Sequence, residues 1–198
     1  HPDAMQRERE YLYFARDIAL AAQVGAQFLR VTPGQNHPEI SREDGVRNAV
    51  EYIKKSADVA DRMGIKLVFE NHSKPGAWKY ADFGYNPAVF LEIARQLKDT
   101  SVGINFDTAN IIAYGADPIP VLREVVDQVV TVHAADTSMK GELKPPVVGT
   151  GLVPFKDIFS ILKANGFDNY ICIEEWSNTG FDGIAKSIEN IRKLWASA

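Results

Sequence analysis

The sequence has little of several features that define large classes of protein. Its 198 residues include one cysteine, Cys172, which excludes an intrachain disulfide framework and fits a reducing cytosol, so a cytoplasmic location is expected. With 22 basic and 26 acidic residues the formal net charge is −4, which argues against nucleic acid as a partner. No apolar run approaches the roughly 18 residues needed to cross a bilayer, so no membrane partner is expected either.

Helical and extended patterns alternate along the whole chain. The spacing of apolar residues predicts helices over 7–23, 41–63, 86–97, from 117 onwards, over 154–165 and over 182–195, and strands over 27–32, 65–70, 101–106, 129–132 and 170–173. Because the strands are apolar on both faces, they indicate a parallel sheet covered by helices. A doubly wound sheet and a (β/α)8 barrel both have this pattern. No Gly-x-Gly-x-x-Gly follows a strand, which disfavours the nucleotide-binding version of the doubly wound sheet.

The last four predicted strands each end in a side chain that can bind a metal or a proton. These residues are Glu70, Asp107, His133 and Glu174, and each stands at the same phase of its strand. Barrel enzymes build their active sites at the carboxyl ends of the strands, so this placement favours the barrel. Cys172 lies on the same strand face as Glu174 and is expected to pack in the core.

Five strands are fewer than the eight of a closed barrel. We therefore predict an α/β fold, a (β/α)8 TIM barrel whose first three strands are lacking in this chain. Residues 1–198 would form a single domain that comprises the C-terminal five strands and six helices of the barrel.

Three carboxylates brought close together would repel one another unless a cation lies among them. A divalent metal ion resolves this conflict, and oxygen ligands with one imidazole suit Mn²⁺ or Mg²⁺, with Co²⁺ or Zn²⁺ as alternatives. Of these ions we expect Mn²⁺. The choice between Glu174 and Glu175 stays open, because a β-bulge would exchange the two side chains.

Five short segments together are similar to those of a known superfamily. They are Val-Phe-Glu-Asn-His at 68–72, Asn-Phe-Asp-Thr-Ala-Asn at 105–110, Val-His-Ala-Ala-Asp at 132–136, Gly-Thr-Gly-Leu-Val-Pro-Phe at 149–155 and Ile-Glu-Glu at 173–175. With them the chain resembles the sugar phosphate isomerase/epimerase superfamily of xylose isomerase-like TIM barrels over about residues 11–194. This superfamily includes ketose 3-epimerases, hydroxypyruvate isomerases and inosose dehydratases.

The resemblance implies that the four strand-end residues are metal ligands and that Glu70 and Glu174 also move protons. The implied function is a divalent-metal-dependent isomerase or epimerase that acts on a sugar through a metal-stabilised enediolate. The alternative is a dehydratase or lyase on an inosose or oxidised sugar. An enzyme like endonuclease IV is disfavoured, because that class needs more histidines and a DNA-binding surface. Ketose epimerases often have a histidine where this chain has Asn110, and Lys140 is the nearest cation to the place of their basic residue. Both residues are candidates for substrate binding.

Other residues near the strand ends are candidates for substrate binding. His72, two residues after Glu70, could bind a substrate hydroxyl or cap a loop. Asp136 could orient His133 or simply form a turn. Trp78 and Trp176 could stack on a sugar ring or lie on ordinary surface loops. The expected partner is a small carbohydrate, and a homo-oligomer is compatible with this sequence.

Overall fold

In the computed structural model, which describes residues 1–74 and 76–198, helices and strands alternate as the sequence predicts. The chain divides into two compact units, residues 1–104 and residues 105–198. The prediction that residues 1–198 form a single domain stays a prediction.

The first unit contains three helices and the first strands. Its elements are α1 (Ala4–Gln23), β1 (Phe28–Val31), α2 (Arg42–Arg62), β2 (Lys66–Glu70), a 3₁₀ turn (Phe83–Tyr85) and α3 (Pro87–Leu97). β1 and β2 pair in parallel, with Phe28 opposite Lys66 and Val31 opposite Phe69. β3 (Gly103–Asp107) begins in this unit and continues into the second.

Capping residues set the starts of α2 and α3, as the sequence indicates. The Ser41 side chain accepts the backbone N–H of Asp44 at 3.1 Å, and the Asn86 side chain accepts that of Ala88 at 2.9 Å. α2 and α3 then bury apolar faces, and Phe90 of α3 stacks on Phe69 of β2 with ring centroids 5.2 Å apart. This packing holds the carboxyl end of β2, where Glu70 lies.

The second unit contains the remaining helices and strands. After the end of β3 come α4 (Asn110–Tyr114), α5 (Pro118–Val125), a 3₁₀ turn (Val126–Gln128), β4 (Val129–Ala134), α6 (Phe155–Ala164), β5 (Ile171–Ile173) and α7 (Gly180–Ala196). β4 lies between β3 and β5 in the sheet, and it pairs in parallel with β5. The Thr131 hydroxyl of β4 donates to the Asn105 side-chain oxygen of β3 at 2.7 Å, which ties these two strands together.

Two expectations about the second unit need correction. Residues 1–74 and 76–198 include one α-helix more than the six predicted. It is α4, which spans five residues and is capped by Gly115 with φ 100°. Five residues are too few to show a helical period in the sequence. Cys172 is exposed rather than packed in the core, because β5 is a three-residue strand at the end of the strand order and, among the described residues, has β4 as its one neighbour.

Within the described residues, none of the helices combines the length and the apolar character that a membrane crossing requires.

Candidate active site

Three of the predicted site residues lie at the carboxyl ends of neighbouring strands in the second unit. Asp107 is the last residue of β3, His133 is the second-last of β4, and Glu174 directly follows β5. The Glu174 N–H donates to the Ala134 carbonyl at 3.1 Å, and the Thr108 N–H donates to the His133 carbonyl at 3.1 Å. These backbone bonds bring the three strand ends together.

The side chains of His133 and Glu174 meet directly. His133 Nδ1 lies 3.1 Å from Glu174 Oε1, and both side chains are partly buried. The neighbouring Glu175 instead accepts the backbone N–H of Ser177 through its own Oε1 at 3.0 Å. Of the two glutamates that the sequence left open, Glu174 is therefore the one beside the imidazole.

Asp107 is held by the turn that follows its strand. Its side chain is almost completely buried, and its Oδ1 atom accepts the backbone N–H groups of Ala109 and Asn110, both at 2.8 Å. Two such bonds fix the rotamer of the carboxylate and satisfy one oxygen. Asn110 is the first residue of α4 and is itself 6% exposed.

Glu70 lies at the end of β2 in the first unit and is completely buried. Its Oε2 atom lies 3.0 Å from Nη1 of Arg30, which is on the adjacent strand β1. A buried carboxylate is costly without a partner, so this ion pair helps to keep Glu70 in place.

A second polar cluster of the first unit lies close to Glu70 in sequence. His72 Nδ1 is 3.6 Å from Asp82 Oδ2, and the Trp78 ring lies edge-on to the His72 ring with centroids 6.4 Å apart. Burial raises the pKa of Asp82 to about 6, although His72 and the Gly84 N–H oppose this shift. Burial by itself would lower the pKa of His72, but Asp82 and Glu70 more than offset it and the pKa is raised.

Asp82 was missed by the sequence reasoning, since an Asp before Phe-Gly is typical of an ordinary turn.

A cavity of about 510 Å³ lies in the first unit and is bounded mainly by residues of α1, α2 and the loop after β1. Trp78 and Arg30 lie on its wall.

The Asp136 carboxylate accepts hydrogen bonds from backbone N–H groups of two segments of the second unit. Its Oδ1 accepts the N–H groups of Thr137 and Val153 at 2.8 and 3.2 Å, and its Oδ2 accepts those of Gly149 and Gly151 at 3.0 and 2.8 Å. Four backbone amides thus bind the carboxylate, which anchors the 149–153 loop. The predicted roles of Asp136 toward His133 and the substrate stay predictions. Burial raises the pKa of Asp136, although the same amides oppose the shift.

Two other predicted substrate-binding residues lie on the surface. Trp176 is 68% exposed, and Lys140 is exposed in the turn that follows Met139. Their roles in substrate binding stay predictions.

The second unit offers two carboxylates and one imidazole at a common strand edge. These ligand types suit a divalent ion such as Mn²⁺, Mg²⁺, Co²⁺ or Zn²⁺, and they include no thiolate. The residues present therefore fit the group that the sequence predicts. Glu70 as a further ligand stays a prediction from its place at the end of β2.

Comparison with known proteins shows the family. The family described as xylose isomerase-like TIM barrel matches residues 1–194. An inosose dehydratase from Clostridium tetani is 23% identical over 190 residues, with 86% of this chain and 61% of the relative aligned. The L-ribulose-5-phosphate 3-epimerase UlaE from Salmonella paratyphi C is 25% identical over 194 residues, with 96% of this chain and 63% of the relative aligned.

Solved structures show the same fold. A D-tagatose 3-epimerase-like protein matches with a TM-score of 0.82 at 21% identity, over 99% of this chain and 72% of that one. An IolI protein with a bound zinc atom also has a TM-score of 0.82, at 17% identity over 99% of this chain and 72% of that one.

The chain belongs to the xylose isomerase-like TIM barrel family, and the predicted fold class is confirmed. It spans about three fifths of the length of the curated relatives that it matches.

Proposed function

We propose that this chain belongs to a divalent-metal-dependent isomerase or epimerase that acts on a sugar or sugar derivative. The observation that carries the proposal is the placement of Asp107, His133 and Glu174 at the ends of neighbouring strands, with His133 Nδ1 3.1 Å from Glu174 Oε1. The epimerases among the relatives support the substrate class, a small carbohydrate.

The proposed ligands are Glu70, Asp107, His133 and Glu174, with Mn²⁺ as the first choice of ion. A bound divalent ion would polarise a substrate carbonyl and stabilise negative charge on the neighbouring oxygen atoms. The chain itself fixes the donors: two backbone amides hold the Asp107 carboxylate, and the strand pairing of β4 with β5 holds the imidazole against Glu174.

Proton transfer is assigned to the two glutamates. One carboxylate removes the proton from the carbon next to the substrate carbonyl, and the other returns a proton to the substrate. Arg30 holds the Oε2 atom of Glu70 at 3.0 Å, which limits the rotation of that carboxylate. The partly exposed Glu174 is the one that a bound substrate can reach from the solvent side.

Dehydration of an inosose or an oxidised sugar is the second candidate reaction. The similarity to an inosose dehydratase favours it, as does Asn110 at a position where ketose epimerases often carry a histidine. Both reactions begin with removal of a proton next to a carbonyl group, so one experiment can detect either.

The test is solvent exchange followed by NMR. Ketoses and inososes are incubated with the full chain and Mn²⁺ in D₂O, and deuterium incorporation next to the carbonyl is measured. We expect incorporation with the wild type, a loss of at least about 100-fold with Glu174→Gln, and near wild-type exchange with the matched control Glu175→Gln. Equal exchange by the two variants would contradict the assignment of Glu174. Elimination of water from an inosose without isomerisation would select the dehydratase.

A further inference from the structure

The first unit contains a close pair of polar side chains, His72 and Asp82. The two residues are ten positions apart, yet His72 Nδ1 and Asp82 Oδ2 lie 3.6 Å from each other. Both atoms are fully buried and neither makes a hydrogen bond within the described part of the chain. His72 Nδ1 and Asp82 Oδ2 therefore face each other as an ion pair.

Asp82 is held rigidly by its backbone and by its second carboxylate oxygen. Its N–H donates to the Ser73 carbonyl at 2.6 Å, and its Oδ1 accepts the Gly84 N–H at 2.7 Å. An antiparallel bridge also joins Asp82 to Gln35 in the loop after β1. The Oδ2 atom thus has a fixed position, and it faces the imidazole.

This arrangement selects the hydrogen position on His72. A carboxylate only accepts hydrogen bonds, so the two facing atoms attract each other only when Nδ1 carries the hydrogen. In the neutral ring Nε2 is then an acceptor. Nδ1 is fully buried while 15% of the His72 side chain is exposed, so the exposed part of the ring lies away from Nδ1. The Trp78 ring stands edge-on beside it and restricts the imidazole.

We propose that Asp82 is a positioning residue that holds His72 with Nδ1–H directed at Oδ2, so that Nε2 is presented to a hydroxyl group of a carbohydrate substrate. The substrate class rests on the proposed function. The role of Asp82 rests on the pair itself, in which a buried carboxylate has one oxygen used by a backbone amide and the other directed at a histidine. A neighbouring aromatic ring suits the apolar face of a sugar.

The first readout is the tautomer of His72, which does not depend on activity. The chain has four histidines, so a ¹⁵N-edited NMR spectrum of the imidazoles is simple and His72→Gln assigns the signal. At a pH where Asp82 is ionised, the wild type should show the Nδ1–H form. Asp82→Asn should change this to a mixture or to the Nε2–H form. The matched control is Asp117→Asn, which alters another side chain that accepts an N–H two residues on.

The second readout is binding of D-fructose as a ketose probe, followed through the His72 resonances. Loss of one well-oriented hydrogen bond predicts an affinity about fivefold lower in Asp82→Asn, and no change in Asp117→Asn. If turnover is measurable, KM should rise by a similar factor while kcat stays close to the wild-type value.

In the tautomer measurement, an Nε2–H form in the wild type, or a tautomer that Asp82→Asn leaves unchanged, would overturn the proposal. In the binding measurement, the absence of a D-fructose effect on His72, or equal affinities of wild type and Asp82→Asn, would also overturn it. Failure of the proposed enzymatic function would show differently, as an absence of metal uptake and solvent exchange while the NMR results stand.

Discussion

Replacement of Asp136 by alanine tests the anchoring of the 149–153 loop. The change removes the acceptor from the backbone amides of Gly149, Gly151 and Val153, which lie 2.8–3.2 Å from the carboxylate, and from that of Thr137. Each lost bond to a buried amide costs about 1 kcal/mol, or more where water cannot replace it. Alanine also removes a buried carboxylate whose pKa is raised, which offsets part of the loss. We expect the free energy of unfolding to fall by about 2–4 kcal/mol.

Urea unfolding measures this difference, and hydrogen exchange of the loop amides shows where it arises. Amides 149, 151 and 153 should lose protection in Asp136→Ala. The control is Asp117→Ala in the same unit, which removes a single helix-capping bond to the Ile119 amide and should cost about 1 kcal/mol. A loss no larger than that of the control, or unchanged protection in the loop, would refute the reasoning.

Two further predictions concern charges of the first unit. Arg30→Met removes an ion-pair partner of the buried Glu70 and should lower the free energy of unfolding by about 1–2 kcal/mol, a modest loss because the Arg30 side chain is 44% exposed. The surface control Arg42→Met should cost at most about 0.5 kcal/mol. Equal losses of the two variants in urea unfolding would refute the argument. Burial raises the pKa of Asp82 from 3.8 to about 6, so the wild type loses stability relative to Asp82→Asn by roughly 2–3 kcal/mol as the pH rises through about 6. Asp82 in the folded protein is mostly protonated at about pH 4 and mostly ionised at about pH 7. A stability difference between the two proteins that stays constant over this range would contradict the prediction.

Most helices and strands could be predicted from the sequence because their signals are local. Ser41 and Asn86 cap helices through amides two or three residues away, and the apolar runs that end in Glu70 and His133 are short buried strands. The candidate metal ligands at the strand ends could also be predicted, because parallel strands place their carboxyl ends at one edge of the sheet.

The supporting contacts could not be predicted in the same way. Asp136 binds amides 13 to 17 residues further along the chain, and Asp82 faces a histidine ten residues before it. Such contacts depend on how loops fold over the strands, and no residue period records them. The choice between Glu174 and Glu175 likewise needed the geometry of the strand end.

Metal binding by the full chain tests the central claim most directly. After incubation with Mn²⁺ and dialysis, elemental mass spectrometry of the wild type should find about one ion per chain. His133→Ala should weaken binding at least about tenfold. His37→Ala, which alters a histidine of the first unit whose ring packs against the rings of His1 and Tyr80, should retain the ion. Equal metal content in His133→Ala and the wild type, or no uptake by either, would contradict the proposed site.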